Sequence, residues 1–356
     1  MRLETIHPKE LGFSDIANWR AHQGASLALA SPHLTPDWAQ LIGRVRDDAR
    51  VCVIGDGAGF LGAQRQSRFA AMGLGAPLAD YQGVVGDPHL NIDAAALCRS
   101  LKVGRIDLTH VPAGQSILAG AVAGQDGSWI AETGGGRDLY EAALKTRRGE
   151  FVRQMNKKER KLARDYGHIE FRAKCDDRAA FETLLGWKNE QLKRSGQPEI
   201  WARPWVRQTL DACFEARDPR FRGMLFTLSI DQRLVAAAFA LRAGPAMNLW
   251  LIAHDPAFDA YSSGVQLTRW LIGWAGDNGV FEVDFGPGEY QYKRQLATTQ
   301  RMLERGVVSG QSWSAAVRRS EHALRARIER LPQPRLAALP GKAMRRLDLM
   351  RALRTA

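Results

Sequence analysis

The stretch from Arg222 to Gly286 restricts the fold more than any other part of the chain. "RGMLFTLSI", "LVAAAFALRAG" and "AMNLWLIAHD" are apolar runs of strand length, the first two joined by the turn "DQR". The period then changes. "SSGVQLTRWLIGWAGDNG" reads as a helix that stops at Asn278-Gly279, and "VFEVDFG" returns to a strand. Antiparallel strands followed by strand–helix–strand predict a mixed α/β unit with helices packed on a sheet.

The flanking sequence extends this pattern. Leu144, Phe151, Met155, Leu162 and Tyr166 fall on one face of a helix over 141–166. "GHIEFRAK" reads as a strand, and "DDRAAFETLLGWKNEQLKRSG" and "RPWVRQTLDACFEAR" as helices. Earlier, residues 1–50 read as a loop-rich start followed by a helix, with Thr35 as cap and Pro36 at its first position. "ARVCVIG", "LADYQGVV" and "GRIDLTHV" are expected strands, and "NIDAAALCRSLKV" a helix capped near Asn91 or Asp93. The segment after Ser309 reads as helical, interrupted by Pro332, Pro334 and Pro340, and as an appendage rather than core.

"VCVIGDGAGFLG" contains Gly57-x-Gly59-x-x-Gly62, the spacing of a dinucleotide fingerprint, with Asp80 near the place of a ribose-binding acid. Such a site needs a helix directly after the glycines, so that its free N–H groups meet the diphosphate. The residues that follow hold further glycines and a proline and no helical stripe. "DGAG" is therefore read as a hairpin turn, with Asp56-Gly57 supplying positive φ angles.

The four cysteines (Cys52, Cys98, Cys175 and Cys213) stand far apart, which suits neither a zinc site nor a disulfide framework. They are expected to be small buried hydrophobes. No apolar run has membrane-spanning length, and the start lacks a signal-peptide pattern, so the cytoplasm is the expected compartment. The net charge of +12 is uneven. Arg318–Ala356 holds eleven Lys/Arg against three Asp/Glu, and Lys145–Asp165 holds nine against three. Such segments suit anionic partners.

The turn "PAFDAYSSGVQL" leads into the helix of the C-terminal block. Ser263 and Gln266 have the spacing of a capping box, and Gly264 keeps the first turn bare. Free N–H groups and the helix dipole make this start an anion site. Strand, loop, helix and a strand ending in polar residues resemble the layout of GNAT acyltransferases. Further motifs sharpen the resemblance: Asp231/Arg233/Leu234/Val235/Ala236, His254-Asp255-Pro256, Tyr261-Ser262-Ser263-Gly264 and Asp284/Gly286/Gly288/Tyr292/Lys293. Together these resemble the bacterial acetyltransferase family associated with cellulose and other exopolysaccharide biosynthesis. That family is related to the aminoacyl transferases of peptidoglycan cross-bridges. Ser263 stands where it often has proline. The resemblance covers roughly residues 141–305 and is looser over 30–140.

The resemblance implies tandem GNAT-like α/β folds with mixed sheets and a basic helical tail, divided as 1–140, 141–312 and 313–356. It implies acetyl-CoA as donor, its pantetheine arm lying between splayed strands. Trp250, Ile252, Tyr261, Ser262, Ser263, Gly264, Val265 and Gln266 would contact it. It also implies an amino-sugar or polysaccharide-precursor acceptor, as in holdfast or other exopolysaccharide production.

Acyl transfer needs a base for the attacking amine and an acid for the leaving thiolate. Asp284 and Glu289 are the candidate bases, Tyr290 or Tyr292 the candidate acid, and Lys293 a phosphate or carboxylate ligand. Asp284 and Lys293 can equally pair with each other. His254 reads as a satisfied strand-end residue. Trp187-Lys188 and Arg194-Ser195-Gly196 fit the acceptor side. Aminoacyl transfer from charged tRNA is the alternative chemistry, suggested by the basic helix at 145–165. The lack of interleaved aromatics there argues against nucleic acid. In the tail, Leu347, Met350 and Leu353 among arginines suit an anionic inner-membrane surface, and the arginines suit cyclic-di-GMP. Only the C-terminal half is expected to bind cofactor, because no comparable helix start occurs between residues 80 and 110.

Overall fold

The computed structural model describes residues 1–310, 312–329, 344 and 346–353. In chain order it builds β1 (Leu3–Ile6), α1 (Phe13–Gly24), α2 (Pro36–Val45), β2 (Ala49–Ile54), β3 (Gly59–Arg65), β4 (Ala71–Gly73), β5 (Val84–Gly86), α3 (Ala94–Ser100) and β6 (Ile106–Pro112). Next come β7 (Val122–Glu132), α4 (Arg137–Tyr166), β8 (Ile169–Cys175), α5 (Arg178–Arg194), α6 (Pro204–Glu215), β9 (Arg217–Asp218), β10 (Phe221–Ile230) and β11 (Arg233–Ala243). The last are β12 (Ala246–His254), α7 (Ser263–Asp277), β13 (Glu282–Pro287), α8 (Gln291–Leu296), β14 (Thr299–Val308) and α9 (Trp313–Glu329). The mixed α/β class expected from the sequence is observed.

Two compact units form. The first contains Met1–Leu29, His33–Asp126 and Met302–Ala356; the second contains Ala30–Pro32 and Gly127–Arg301. The boundaries expected at 140 and 312 therefore fall at Asp126 and Arg301. The reason is strand pairing that the local sequence does not announce. Ile130–Glu132 ladder onto β13, and Leu303–Val308 ladder onto β6.

In the second unit, β8, β10, β11 and β12 form an antiparallel meander, β13 joins β12 in parallel, and β7 pairs antiparallel with β13. Residues on a strand alternate between faces. Ala238, Phe226 and Leu249 face a cluster that holds Leu144, Phe151 and Met155 of α4 and Leu267, Leu271 and Ile272 of α7. Phe239, next to Ala238, instead meets Phe181 of α5 at 5.0 Å between ring centroids, and Phe181 stacks on Phe214 of α6 at 4.5 Å. Each such side chain contributes about 1.5–3 kcal/mol on burial. The apolar stripe of α4 is buried except at Tyr166, which is 45% exposed. α4 is also interrupted at Arg148, whose φ of −140° and ψ of 43° are not helical.

In the first unit, β1, β2 and β3 are antiparallel, β4 continues antiparallel from β3, and β6 lies parallel to β4 and antiparallel to β14. Cys52, Leu61, Leu97, Leu101 and Ile106 share its core. Cys52, Cys98 and Cys213 are buried and all four cysteines are free thiols. The glycine-rich motif is the β2–β3 hairpin: Ile54 pairs with Gly59, and Gly55, Asp56 and Gly57 take φ values of 57°, 54° and 95°. Gly59 and Gly62 lie on β3, so no helix follows the turn. Thr35 caps α2 as expected, its hydroxyl accepting the Trp38 N–H at 2.9 Å.

Three expectations are corrected. Residues 13–24 are a helix rather than loop; only Trp19 of that helix is buried, so the sequence carries no stripe. "LADYQGVV" supplies only the short β5. The described part of the tail is packed, not appended. Arg318 is 5% exposed and forms ion pairs with Asp107, Glu321 and Asp348, while Ala352 packs on Met72 and Ala76. Leu347 and Met350 are exposed but Leu353 is buried, so the expected surface stripe keeps two of its three members. Pro332, Pro334 and Pro340 lie outside the described residues. No described helix is long and apolar enough to cross a membrane.

Candidate active site

β12 and β13 pair through Ala246–Glu282, Met247–Val283 and Asn248–Asp284, and no further. Beyond that point the two strands part into a fork. A bulge bends β12 there: Leu249 faces Ala240 and Leu251 faces Phe239, with Trp250 as the extra residue. Trp250 is half-buried against Phe239, and Ile252 packs at the edge of the core shared with α7.

β12 ends at His254, and the turn Pro256–Tyr261 delivers the chain to α7. Asp255 stabilises the turn by accepting the Ala257 N–H at 2.9 Å and pairing with Arg233 at 2.7 Å. The N-cap of α7 is Ser262, in the left-handed region with φ 53° and ψ 43°, and its side chain makes no capping bond. The expected Ser263–Gln266 capping box is absent. Ser263 is the first helical residue, the position where proline is favoured, and Gln266 Nε2 donates instead to the Tyr261 carbonyl at 2.7 Å.

An open first turn follows from this cap. The N–H groups of Ser263, Gly264 and Val265 have no intrahelical acceptor. The Ser263 hydroxyl is fully buried and has no hydrogen-bond partner among the described residues. Burying a hydroxyl unpaired costs about 1–3 kcal/mol, so this position favours a ligand oxygen. A Cβ on Gly264 would come within 3.2 Å of His254 Nδ1. His254 itself holds Asp259, Nε2 to Oδ1 2.6 Å.

The basic helix α4 runs beside this turn, which the sequence did not reveal. Lys158 Nζ donates to the Ser262 hydroxyl at 2.7 Å, and Lys161 Nζ lies 5.3 Å from the centre of the Tyr261 ring. Tyr261 donates to Asp165 at 2.9 Å. That bond first, then burial, pushes its phenol up to about 12. Tyr261 therefore anchors the turn to α4 as a neutral phenol. Its ring packs with Leu162 and Phe258.

At the other branch of the fork, Asp284 is 7% exposed. Its Oδ1 accepts the Ser128 hydroxyl at 2.6 Å and the Gly286 N–H at 2.7 Å. Lys293 donates to the carbonyls of Gly286 and Pro287 at 3.2 and 2.8 Å. Asp284 and Lys293 thus brace the same turn from its two polarities. Tyr292 is half-buried, its ring 6.4 Å from Phe285. Glu289 and Tyr290 are exposed on the loop, Glu289 lying 4.0 Å from Arg294. Lys188 of α5 has its pKa lowered by burial and then by Lys293. The fold therefore brings Asp284 of β13 and Lys293 of α8 to the same turn, sets Tyr292 beside Phe285, and leaves Glu289 in solvent.

Comparison with known proteins bears on this arrangement. Residues 149–294 match the acetyltransferase (GNAT) domain family. No curated protein matches the sequence. Among solved structures the chain is similar to FemX, at 13% identity over 86% of this chain and 96% of that one, with a TM-score of 0.57. It is similar to the C-terminal domain of a putative lysylphosphatidylglycerol synthetase from Agrobacterium fabrum, at 11% identity, 86% and 95% coverage and a TM-score of 0.54. A conserved protein of unknown function from Bacteroides thetaiotaomicron follows at 13% identity, 84% and 97% coverage and 0.51. At these identities the likeness is one of fold. The residues around the fork lie within the part of the chain that matches the GNAT family model.

Proposed function

We propose that the second unit is an acyl-CoA-dependent N-acyltransferase. Its donor is acetyl-CoA, and its acceptor an amino sugar of a surface exopolysaccharide or its precursor. The observation that carries this reading is the fork: β12 and β13 separate after Asn248 and Asp284, beside a helix with an open first turn. Acyl-CoA, when bound, supplies an activated thioester.

The chain's own groups have distinct tasks. Backbone along Leu249–Ile252 can hydrogen-bond an extended pantetheine arm as a neighbouring strand would. The first turn of α7 and Lys158 suit the diphosphate. Asp284 takes the proton of the attacking amine, its orientation held by Ser128 and Gly286. The Tyr292 hydroxyl returns a proton to the leaving thiolate. Backbone N–H groups at the fork oppose the oxyanion. Lys293 holds the 286–287 turn in place. With Lys188 it favours an acceptor that carries negative charge, as a phosphate-bearing sugar precursor does.

The test is calorimetric titration with acetyl-CoA, with NADH as control, repeated on Gly264→Glu. Saturable acetyl-CoA binding that the substitution abolishes supports the reading. Absence of acetyl-CoA binding sinks it. A second reading, aminoacyl transfer from charged tRNA, is favoured by one feature. Lys145, Arg153, Lys157 and Arg160 of α4 line a groove of 1020 Å³. It requires tRNA binding that weakens steeply with salt.

A further inference from the structure

The first unit holds a second cationic recess, built from residues that acyl transfer does not use. Arg50 on β2, Arg65 at the end of β3, Arg68 in the following turn and Lys102 after α3 line a cleft of 610 Å³. Arg46 and Asp48 also line it but neutralise each other through two contacts of 2.8 and 2.6 Å. Asp47 adds one more carboxylate, while its backbone carbonyl accepts Arg50 at 2.7 Å. Among the described residues, the side chains of Arg65 and Lys102 make no hydrogen bond or ion pair, and Arg68 lies over the Phe69 ring at 4.7 Å. Four cations therefore face one unpaired carboxylate.

Helix dipoles do not account for this surplus. α2 and α3 both end at the cleft, and a cation at each C-terminus is ordinary compensation. Arg46 and Lys102 fill those two places. Arg50, Arg65 and Arg68 stand on strand and turn, where no dipole calls for them. Like charges gathered around one recess repel unless an anion joins them.

We propose that this cleft binds a small ligand carrying a diphosphate group. A surplus of three positive charges matches a diphosphate better than a single phosphate, and guanidinium forks match phosphate oxygens in pairs. The volume falls within the range of small-molecule sites, about 300–1,000 Å³. Beside Arg68, the rings of Phe69 and Trp313 stand 39% and 68% exposed with centroids 5.5 Å apart. They offer a platform for a base, so the diphosphate can belong to a nucleotide or stand alone.

The experiment uses full-length protein carrying Gly264→Glu, so that the start of α7 no longer accepts anions. It is titrated at low salt with inorganic pyrophosphate and with ADP. Saturable pyrophosphate binding is expected, weakened at least tenfold by Arg65→Glu, and less by Lys102→Gln and by Arg65→Lys, which keeps the charge but not the fork. Arg65→Glu in the otherwise unaltered chain should leave the thermal midpoint and the acetyl-CoA affinity unchanged, which separates loss of the cleft from loss of the fold. ADP binding tighter than pyrophosphate, with the difference removed by Phe69→Ala, assigns a nucleoside diphosphate. ADP no tighter than pyrophosphate assigns the diphosphate alone. The proposal is overturned if Gly264→Glu protein binds no pyrophosphate, or binds it equally well with Arg65→Glu.

Discussion

Both units wrap a parallel strand pair around one helix, yet they finish the motif differently. In the first, β4 and β6 flank α3; in the second, β12 and β13 flank α7. α7 runs 15 residues from a cap that contributes no side-chain bond. α3 runs 7 residues, and the Asp93 carboxylate accepts the Ala95 N–H at 2.8 Å. That carboxylate satisfies a first-turn donor and puts negative charge where an anionic ligand would put its own. The strands differ as well. β4 is 3 residues long and runs only one residue, Gly73, past its pairing with β6. β12 continues past Asn248 for six residues to His254. On the proposed function, a crossover becomes a donor site when a strand outlasts its pairing and the helix starts without an anion of its own.

The carboxylates on the second strand of each pair sharpen the contrast. Asp107 pairs in register with Met72, and Asp284 with Asn248. Asp107 is gripped by Arg105 at 3.1 Å and Arg318 at 3.5 Å. Asp284 is held by a hydroxyl and a backbone N–H. If the first is structural and the second catalytic, their substitutions must separate. Asp107→Ala takes from the largely buried Arg105 its carboxylate, and from Arg318 one of three, and should cost about 3 kcal/mol in denaturant unfolding while leaving kcat unchanged. Asp284→Asn keeps the shape of the side chain and should lower kcat about 100-fold, near 2.7 kcal/mol, with little change in donor KM. Equal loss of kcat in both variants would erase the distinction.

Acid separates the units next. His33 in the first unit is buried, and burial together with His110 lowers its pKa to about 3. His110 is lowered mainly by burial too. Between about pH 6.5 and 3 the unfolded chain binds a proton at His33 that the folded chain refuses. Stability is therefore full above that window and falls as pH drops through it, by about 1.4 kcal/mol per unit for one histidine. From pH 7 to pH 5 the expected loss is about 2 kcal/mol from His33 alone. Denaturant midpoints at the two pH values measure it, and His33→Gln should flatten the slope. A slope unchanged in that variant would move the acid response elsewhere.

How far these features could be read from the sequence depends on how local their causes are. The elements between Phe221 and Leu296 were legible because their apolar patterns are dense and each turn is marked by its own residues. β7 and β14 were not: "VAGQDGSWIAE" and "TQRMLERGVV" carry weak alternation, and they are strands because of distant partners. Asp284, Lys293 and the start of α7 could be singled out from motif spacing. The cap was displaced by one residue, because two adjacent serines offer the same chemistry and only φ at Ser262 tells them apart. Ser128 and Lys158 were missed for a plainer reason. They lie 156 and 104 residues from the groups they hold, and neither stands out in its own neighbourhood.

Lys158 therefore supplies the finest test of the comparison. The start of α7 and the start of α3 differ in cap, but a nearby cation also differs between them. Lys158 donates to the cap serine at 2.7 Å, whereas Arg99 lies 3.7 Å from the capping Asp93 and is spent on that carboxylate. A half-buried ammonium beside a diphosphate should be worth about a factor of ten in affinity, near 1.4 kcal/mol. Lys158→Met, which keeps the length of the stem, should raise the acetyl-CoA Kd about tenfold and flatten its dependence on ionic strength. Arg99→Met should change neither. If Lys158→Met leaves the Kd unaltered, the open cap and the fork account for donor binding without α4. The basic face of that helix must then serve another anion, which returns the charged groove at Lys145–Arg160 to the tRNA reading.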